Sequence, residues 1–191
     1  MKRLFIAINI PEDIKDRIAN KNDSLEMMLP DARYTGRDKW HLTIAFLGYQ
    51  SDEMIVPIIA SIKVAAEKFP APEIVLSDIS YGPMEGSARM IWLNGSKGTS
   101  SSISPLKRFI EDELIKNGVR FKLENRPFNA HITLNRFADI SESDRPELGK
   151  EFRDLNWVFE AESLDLMESL PSSRGAEYEI LQSIEFTPSP N

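Results

Sequence analysis

The two histidines of this 191-residue chain stand in the same local pattern. His41 begins the sequence His-Leu-Thr-Ile, and His131 begins the sequence His-Ile-Thr-Leu. In both, an aliphatic residue, a threonine and a second aliphatic residue follow the histidine. At ordinary composition a given histidine precedes such a series on the order of once in several hundred cases. The repetition therefore indicates one paired site rather than two unrelated residues.

Both motifs read as β-strand segments, in which successive side chains alternate between the two faces. His41 and Thr43 then share one face, and so do His131 and Thr133, while the aliphatic residues turn to the core. Along each strand the histidine and the threonine are roughly 6.5 Å apart. We predict that the two motifs face each other across a pseudo-twofold cleft.

Two imidazoles on either side of a phosphorus atom suit an in-line displacement. One takes a proton from the attacking water, and the other protonates the departing oxygen. The hydroxyls of Thr43 and Thr133 could donate hydrogen bonds to the non-bridging oxygens, where negative charge accumulates. Two structural histidines or a metal site are the alternatives. We expect neither a metal nor a cofactor, because the chain has no cysteine, no His-x-x-x-His and no third ligand near either motif.

The same alternation gives expectations for three residues beside the motifs. Phe46, five residues after His41, is predicted to point to the core. Asn135 has the parity of His131 and is predicted to face the cleft. Arg136 is a candidate phosphate ligand, but its parity is wrong, so it requires a β-bulge or a strand end to reach the cleft. A surface salt bridge is the alternative for Arg136.

The segments around the motifs mix strand-like and helix-like patterns. Strands are predicted at residues 3–9, 40–47, 73–79, 90–93, 130–137, 157–166 and 178–186. Helices are predicted after Pro11 and over residues 51–69 and 105–116, where Ser51 would cap the second helix and Pro57 would kink or restart it. Without a Gly-rich dinucleotide fingerprint, this order indicates an α+β fold with an antiparallel sheet.

Four aromatic residues near these strands could stack on a nucleotide base, although core packing is more typical of such residues: Tyr34, Trp40, Tyr81 and Trp92. The polar segment 95–100 lacks the spacing of a phosphate-binding loop and is predicted as a turn. The acidic run of Glu142, Asp144 and Glu147 is predicted to be a solvated face.

The composition, with 41% hydrophobic and 28% charged residues, is that of an ordinary soluble globular protein. The net charge of −7 at pH 7 argues against broad binding of a nucleic-acid backbone, so any such contact should be confined to a small site. The apolar stretch at residues 3–10 is too short for a signal peptide, and no stretch approaches the roughly 20 apolar residues that span a bilayer. We therefore expect a cytoplasmic protein without a membrane contact.

On these motifs the chain resembles the two-histidine (2H) phosphoesterase superfamily, in particular its RNA 2′,3′-cyclic phosphodiesterases, once called 2′-5′ RNA ligases. The resemblance covers nearly the whole chain: residues 3–8 with Pro11, residues 41–48, Pro127 and Phe128 with residues 131–134 and Arg136, and Leu164–Ser169 with Gly175, Tyr178 and Leu181. Many relatives have a proline directly before the second histidine, where this chain has Ala130.

The resemblance implies that His41 is the proton donor, that His131 is the proton acceptor, and that the product is a 2′-phosphate with a free 3′-hydroxyl. It also implies one domain over residues 1–191, with two similar lobes around a central cleft. Each lobe would be an antiparallel sheet with outer helices. Residues 187–191 are expected to be a flexible tail.

The implied partner is RNA with a 2′,3′-cyclic phosphate end, such as a tRNA fragment. Three alternatives stay open: a phosphodiesterase for a small cyclic nucleotide such as ADP-ribose 1″,2″-cyclic phosphate, 2′-5′ RNA ligation, and a non-catalytic binder of phosphate-terminated RNA. The oligomeric state is also open, with a monomer as the expectation.

Overall fold

The computed structural model describes residues 1–83, 87–137, 145–172 and 175–187. Within these ranges the strands are β1 (Lys2–Asn9), β2 (Arg33–Tyr34), β3 (His41–Gln50), β4 (Glu73–Gly82), β5 (Met90–Gly95), β6 (His131–Arg136), β7 (Trp157–Glu160), β8 (Ser163–Ser172) and β9 (Gly175–Glu185). The helices are α1 (Glu12–Met28), α2 (Ile55–Lys68) and α3 (Lys97–Lys116). Short 3₁₀ turns lie at Arg37–Lys39, Asp52–Met54 and Lys150–Phe152.

The described strands form one curled antiparallel sheet in the order β7-β4-β5-β6-β3-β1-β8-β9, with β2 added to β6. The sheet divides into two similar halves at the contact between β3 and β6. The first half-sheet consists of β3, β1, β8 and β9, and the second consists of β6, β5, β4 and β7. Each half runs outward from one histidine motif through three antiparallel neighbours. This confirms the predicted α+β fold of two related lobes.

The hydrophobic core lies between the helices and the sheet face that carries the aliphatic residues of the motifs. Leu42 of β3 and Ile132 of β6 are fully buried there. From α1, Ile14 and Ile18 are also fully buried, because a spacing of four residues brings both to one side of a helix. The helix predicted after Pro11 is thereby confirmed.

Helix α3 begins at Lys97, eight residues before the predicted start. The hydroxyl of Ser96 caps it by accepting a hydrogen bond from the backbone N–H of Thr99, at 3.0 Å. The predicted turn at 95–100 is therefore wrong, since residues 97–100 are the first helical turn. Pro105 suggested the later start, yet it lies inside the helix.

Helix α2 differs from the prediction at its beginning. Ser51 is followed by the short 3₁₀ turn, and the α-helix starts only at Ile55. The side chain of Ser51 makes no capping hydrogen bond. Pro57 is then in the first helical turn, where backbone N–H groups have no partner within the helix, so it neither kinks nor restarts α2.

Three further predictions are confirmed only in part or lie partly outside the described residues. The single strand predicted over residues 157–166 is two strands, β7 and β8. Glu142 and Asp144 of the predicted acidic face, and residues 188–191 of the predicted tail, lie outside the described residues.

Among the helices of the described ranges, none has the length and hydropathy to cross a membrane.

Candidate active site

Strands β3 and β6 bring the two histidine motifs side by side. Leu42 pairs with Ile132 in the antiparallel register, so these two residues lie directly opposite each other. One residue outward on either side, each histidine lies opposite the threonine of the other motif. Since side chains alternate, the four predicted site residues share one face of the sheet, called here the motif face: His41, Thr43, His131 and Thr133.

The two histidines are diagonal neighbours in this register. Diagonal neighbours in an antiparallel sheet are roughly 7–8 Å apart. Such a separation is compatible with two imidazoles that act on one phosphate group from two sides.

The same backbone contact orients both imidazole rings. His41 Nδ1 lies 2.7 Å from the carbonyl oxygen of Lys39, and His131 Nδ1 lies 2.8 Å from that of Asn129. Because a carbonyl oxygen only accepts, Nδ1 carries the hydrogen in each ring and Nε2 is left for chemistry. Within the described part of the chain, no hydrogen bond engages either Nε2 atom or either threonine hydroxyl.

Burial shifts the protonation of both histidines. Desolvation lowers the pKa of His41 to about 4, against the opposite influence of the Lys39 carbonyl, and the charges of His131 and Arg136 lower it further. Desolvation also lowers the pKa of His131. Both imidazoles of the unliganded protein are therefore neutral at neutral pH. An anion bound between them would act against these causes and favour a proton on one ring.

The histidines pack against aromatic rings of neighbouring strands. The His41 ring centroid is 4.9 Å from that of Phe5 and 5.0 Å from that of Tyr178. The His131 centroid is 4.1 Å from the Trp92 indole. Gly82 makes room for this indole, since a Cβ on Gly82 would lie 2.3 Å from it. These contacts restrict the imidazole rings to one orientation.

Both tryptophans are buried, but in different places. Trp40 packs in the hydrophobic core, whereas Trp92 lies on the motif face against the His131 ring. Tyr34 and Tyr81 are partly buried, and their hydroxyls donate hydrogen bonds to the backbone carbonyls of Leu29 and Pro146.

Each motif contains a β-bulge three residues after its histidine. In the pairing of β1 with β3, the register passes from Thr43 to Ala45 and leaves Ile44 as the extra residue. In the pairing of β5 with β6, it passes from Thr133 to Asn135 and leaves Leu134 as the extra residue. A bulge shifts the alternation of side chains by one, so residues beyond it exchange faces.

Because of the bulges, two predictions based on regular alternation are wrong. Phe46, predicted to point to the core, is 58% exposed, and its ring lies 6.2 Å from Phe5 of the motif face. Asn135, predicted to face the cleft, is fully buried, and its Oδ1 accepts a hydrogen bond from the backbone N–H of Ile91 at 3.1 Å.

The bulge in β6 brings Arg136 to the motif face, which was the condition for a phosphate contact. Its guanidinium is exposed, and its positive charge lowers the pKa of both His41 and His131. Its Nη1 lies 3.0 Å from the sulfur of Met90, which is opposite Arg136 on β5.

Asn9 and Asn94 were not predicted from the sequence. Asn9 is directly opposite His41 in the pairing of β1 with β3, and Asn94 is directly opposite His131 in the pairing of β5 with β6. The available signal was a polar residue directly after an apolar run, near the end of each strand. Ala130 also departs from the family pattern, and its N–H, which a proline lacks, donates to the hydroxyl of Ser100.

Across residues 1–83, 87–137, 145–172 and 175–187, no group of three or more His, Cys, Asp or Glu side chains is arranged to hold a metal ion.

Comparison with known proteins places these features in a family. The family model described as LigT like phosphoesterase matches residues 8–92 and 96–177. An RNA 2′,3′-cyclic phosphodiesterase of Methanocaldococcus jannaschii is 27% identical over 183 residues, which are 94% of this chain and 98% of that protein. Another, from Escherichia coli K12, is 32% identical over 143 residues, which are 74% of each chain. The crystal structure of a Thermus thermophilus protein shares the fold, with a TM-score of 0.80, 22% identity, and coverage of 98% of this chain and 99% of that one.

Proposed function

This chain belongs to the LigT-like phosphoesterase family, and we propose that it hydrolyses the 2′,3′-cyclic phosphate end of RNA to a 2′-phosphate and a free 3′-hydroxyl. One observation gives this reaction its main support. Two Nε2 atoms and two threonine hydroxyls, none engaged by a hydrogen bond within the described protein, belong to residues that share one face of the sheet. Four such groups suit a displacement at phosphorus.

The two histidines divide the proton transfers. Nε2 of neutral His131 takes a proton from water as the water oxygen bonds to phosphorus. The bond between phosphorus and the ribose 3′-oxygen breaks, and Nε2 of protonated His41 gives its proton to that oxygen. Exchange with solvent then restores both histidines. The donor and acceptor assignments follow the resemblance of the motifs to those of the family.

Side-chain donors supply the charge stabilisation in this mechanism. Thr43 and Thr133 donate to the non-bridging oxygens, and Arg136 adds a positive charge on the same face. The bound phosphate brings the negative charge that favours protonation of His41, whose pKa burial holds at about 4 in the free protein. No step of this reaction needs a metal.

The test is incubation with an oligoribonucleotide that ends in a 2′,3′-cyclic phosphate, with and without excess EDTA. We expect a product with a 2′-phosphate and a 3′-hydroxyl at the same rate in both samples. The variant with both His41→Ala and His131→Ala is the control for contaminating nucleases. Loss of activity in EDTA with recovery on added zinc or magnesium would overturn the metal-free mechanism.

The same assay separates the alternatives. ADP-ribose 1″,2″-cyclic phosphate, assayed beside the RNA, shows which substrate has the higher kcat/KM. Binding of the RNA end without turnover would indicate a non-catalytic binder. Formation of a 2′-5′ linkage from a cyclic end and a free 5′-hydroxyl would be the same opening with the 5′-hydroxyl in place of water, so we expect it to compete with hydrolysis only with a large excess of RNA ends.

A further inference from the structure

A hydrogen-bonded pair of asparagine and aspartate stands beside each histidine on the motif face. Asn9 and His41 are opposite each other, as are Asn94 and His131. Residues directly opposed in an antiparallel pair point to the same face, with Cβ atoms roughly 4.5–5.5 Å apart. Each histidine therefore has an asparagine side chain as its cross-strand neighbour on this face.

In the first half-sheet a buried carboxylate holds this amide. Asn9 Nδ2 donates to Asp165 Oδ2 at 2.5 Å. The other carboxylate oxygen of Asp165 accepts from the hydroxyl of Ser163 at 2.9 Å, and the residue is only 1% exposed. Among the described residues no cation pairs with Asp165. Burying an unpaired carboxylate is unfavourable, so the arrangement suggests a purpose other than stability.

In the second half-sheet the same arrangement recurs with different partners. Asn94 Nδ2 donates to Asp78 Oδ2 at 3.0 Å and to the hydroxyl oxygen of Ser80 at 2.8 Å. Asp78 Oδ1 accepts from the hydroxyl of Ser77 at 2.7 Å. Both hydrogens of the Asn94 amide nitrogen are thus directed at the neighbouring strand β4.

The carboxylates determine which way each amide is turned. A carboxylate only accepts hydrogen bonds, so each asparagine must present its NH₂ group to its aspartate. The carbonyl oxygen Oδ1 is then directed away from the aspartate. Within the described residues, Oδ1 of Asn9 and Oδ1 of Asn94 accept no hydrogen bond. Neither atom is fully buried. Each histidine is accompanied by one open acceptor.

We propose that Asn94 Oδ1 positions the attacking water by accepting the hydrogen that His131 does not take. This rests on the proposed function, with His131 as the proton acceptor. Water has two hydrogens, and only one is transferred in the displacement. A carbonyl oxygen attracts the remaining O–H but repels the anionic phosphate oxygens, so it directs the lone pair of the water at phosphorus.

The half-site around His41 provides a matched control, because the ribose 3′-oxygen has no second hydrogen. It receives one proton from His41 and otherwise bonds only to carbon. Asn9 Oδ1 therefore has no equivalent hydrogen to accept during the reaction, although its surroundings match those of Asn94. Replacing Asn94 should therefore change how well water competes as the nucleophile, and replacing Asn9 should not.

The experiment is a competition between water and methanol for the cyclic phosphate end. Methanol has only one O–H hydrogen. Its oxygen bonds to phosphorus, its hydroxyl proton goes to His131, the bond to the 3′-oxygen breaks, and His41 protonates that oxygen. The product is a 2′-methyl phosphodiester beside the 2′-phosphate formed from water. The ratio of the two products is independent of the amount of folded protein.

We expect Asn94→Ala to slow hydrolysis relative to methanolysis by roughly three- to tenfold, the effect of one neutral hydrogen bond. Asn9→Ala should keep the wild-type product ratio, whatever its total rate. Asp78→Asn, which adds no space at the site and leaves the Asn94 amide free to turn, should shift the ratio in the same direction by a smaller factor.

An unchanged ratio in both Asn94→Ala and Asp78→Asn would overturn the proposal. So would a shift in Asn9→Ala, since water would then be bound beside His41. Absence of both products with the wild-type protein is a different result, which contradicts the proposed function itself.

Discussion

The two half-sites of the motif face have the same backbone and different side chains. Each presents a histidine, a threonine two residues later, a bulge at the next residue and an asparagine opposite the histidine. Five residues after the histidine, however, the first half-site has Phe46 and the second has Arg136. The repeated backbone places the two imidazoles alike, and at this one position the first half-site has a phenyl ring where the second has a guanidinium.

A second difference lies opposite the threonines. Ala7 is opposite Thr43, whereas Trp92 is opposite Thr133 and contacts the His131 ring. An indole face favours a cation beside it. In the proposed mechanism it would stabilise the imidazolium that forms when His131 accepts a proton, as Phe5 and Tyr178 would stabilise a protonated His41. In the proposed mechanism the symmetric backbone gives the acid and the base the same geometry, and the side chains opposite the threonines and five residues after the histidines differ between them.

The largest expected effect separates the two histidines. His41→Ala and His131→Ala should each lower kcat on a cyclic RNA end by roughly 10² to 10⁴, because a ribose alkoxide leaves poorly and water attacks poorly without proton transfer. On a phosphodiester with an activated phenol as leaving group, His41→Ala should regain much of its activity. His131→Ala should not, since water still needs a base.

Steady-state kinetics on both substrates checks this assignment. Recovery in the His131 variant instead would reverse the donor and acceptor roles. Recovery in neither variant would contradict the division into acid and base.

Replacing either threonine should lower turnover by a similar factor, which tests whether the two half-sites are alike in function as well as in backbone. Thr43→Val and Thr133→Val should each slow turnover by roughly 10²-fold if the hydroxyls stabilise charge on the non-bridging oxygens. Valine keeps the shape and strand preference of threonine, so a thermal melt of each variant should match the wild type. Normal turnover in both variants would return the threonines to a structural role, and a large effect in one alone would show that the half-sites share the charge unequally.

Arg136 and Phe46 occupy equivalent positions in the two half-sites, but their replacement should affect activity differently. Arg136→Met removes the charge but keeps much of the length, and we expect roughly a tenfold loss in kcat/KM, the size of a single charge-assisted hydrogen bond. Phe46→Leu should leave kcat within about twofold, because this side chain offers the non-bridging oxygens no hydrogen-bond donor. The assay uses the same RNA for both variants. Equal effects would mean that Arg136 has no special role at the phosphate.

The smallest expected effect is a displacement of the pH–rate profile. The rate should rise with pH as the acceptor loses its proton and fall as the donor loses its own. Because burial and the Arg136 charge lower the pKa of His41, Arg136→Met should move the falling limb of kcat/KM to higher pH by a fraction of a unit. Phe46→Leu should leave it in place. A flat profile from about pH 5 to 9 would argue against titrating histidines.

Substrate binding should also shift the falling limb of the pH–rate profile. kcat/KM reports the free protein, whereas kcat reports the complex, in which the phosphate anion raises the pKa of the donor. We expect the falling limb of kcat to lie at higher pH than that of kcat/KM in the wild type. Coincident limbs would mean that the bound phosphate leaves the protonation of His41 unchanged.

The local sequence was sufficient for much of the site. The repeated motif identified His41, Thr43, His131 and Thr133, and strand alternation placed each pair on one face, because both signals depend only on residues that are neighbours in the chain. Apolar runs likewise predicted most strands and the antiparallel α+β class. The start of α3 was missed because Ser96, as a helix cap, outweighed the signal of Pro105.

The tertiary structure decided what depends on pairing between distant strands. The bulges at Ile44 and Leu134 exist only relative to β1 and β5, yet they determine that Phe46 and Arg136 reach the motif face and that Asn135 does not. No periodicity within β3 or β6 shows them, since an extra residue is defined by its missing partner. In the same way, Asn9 and Asn94 became part of the site only through the register that sets them opposite the histidines.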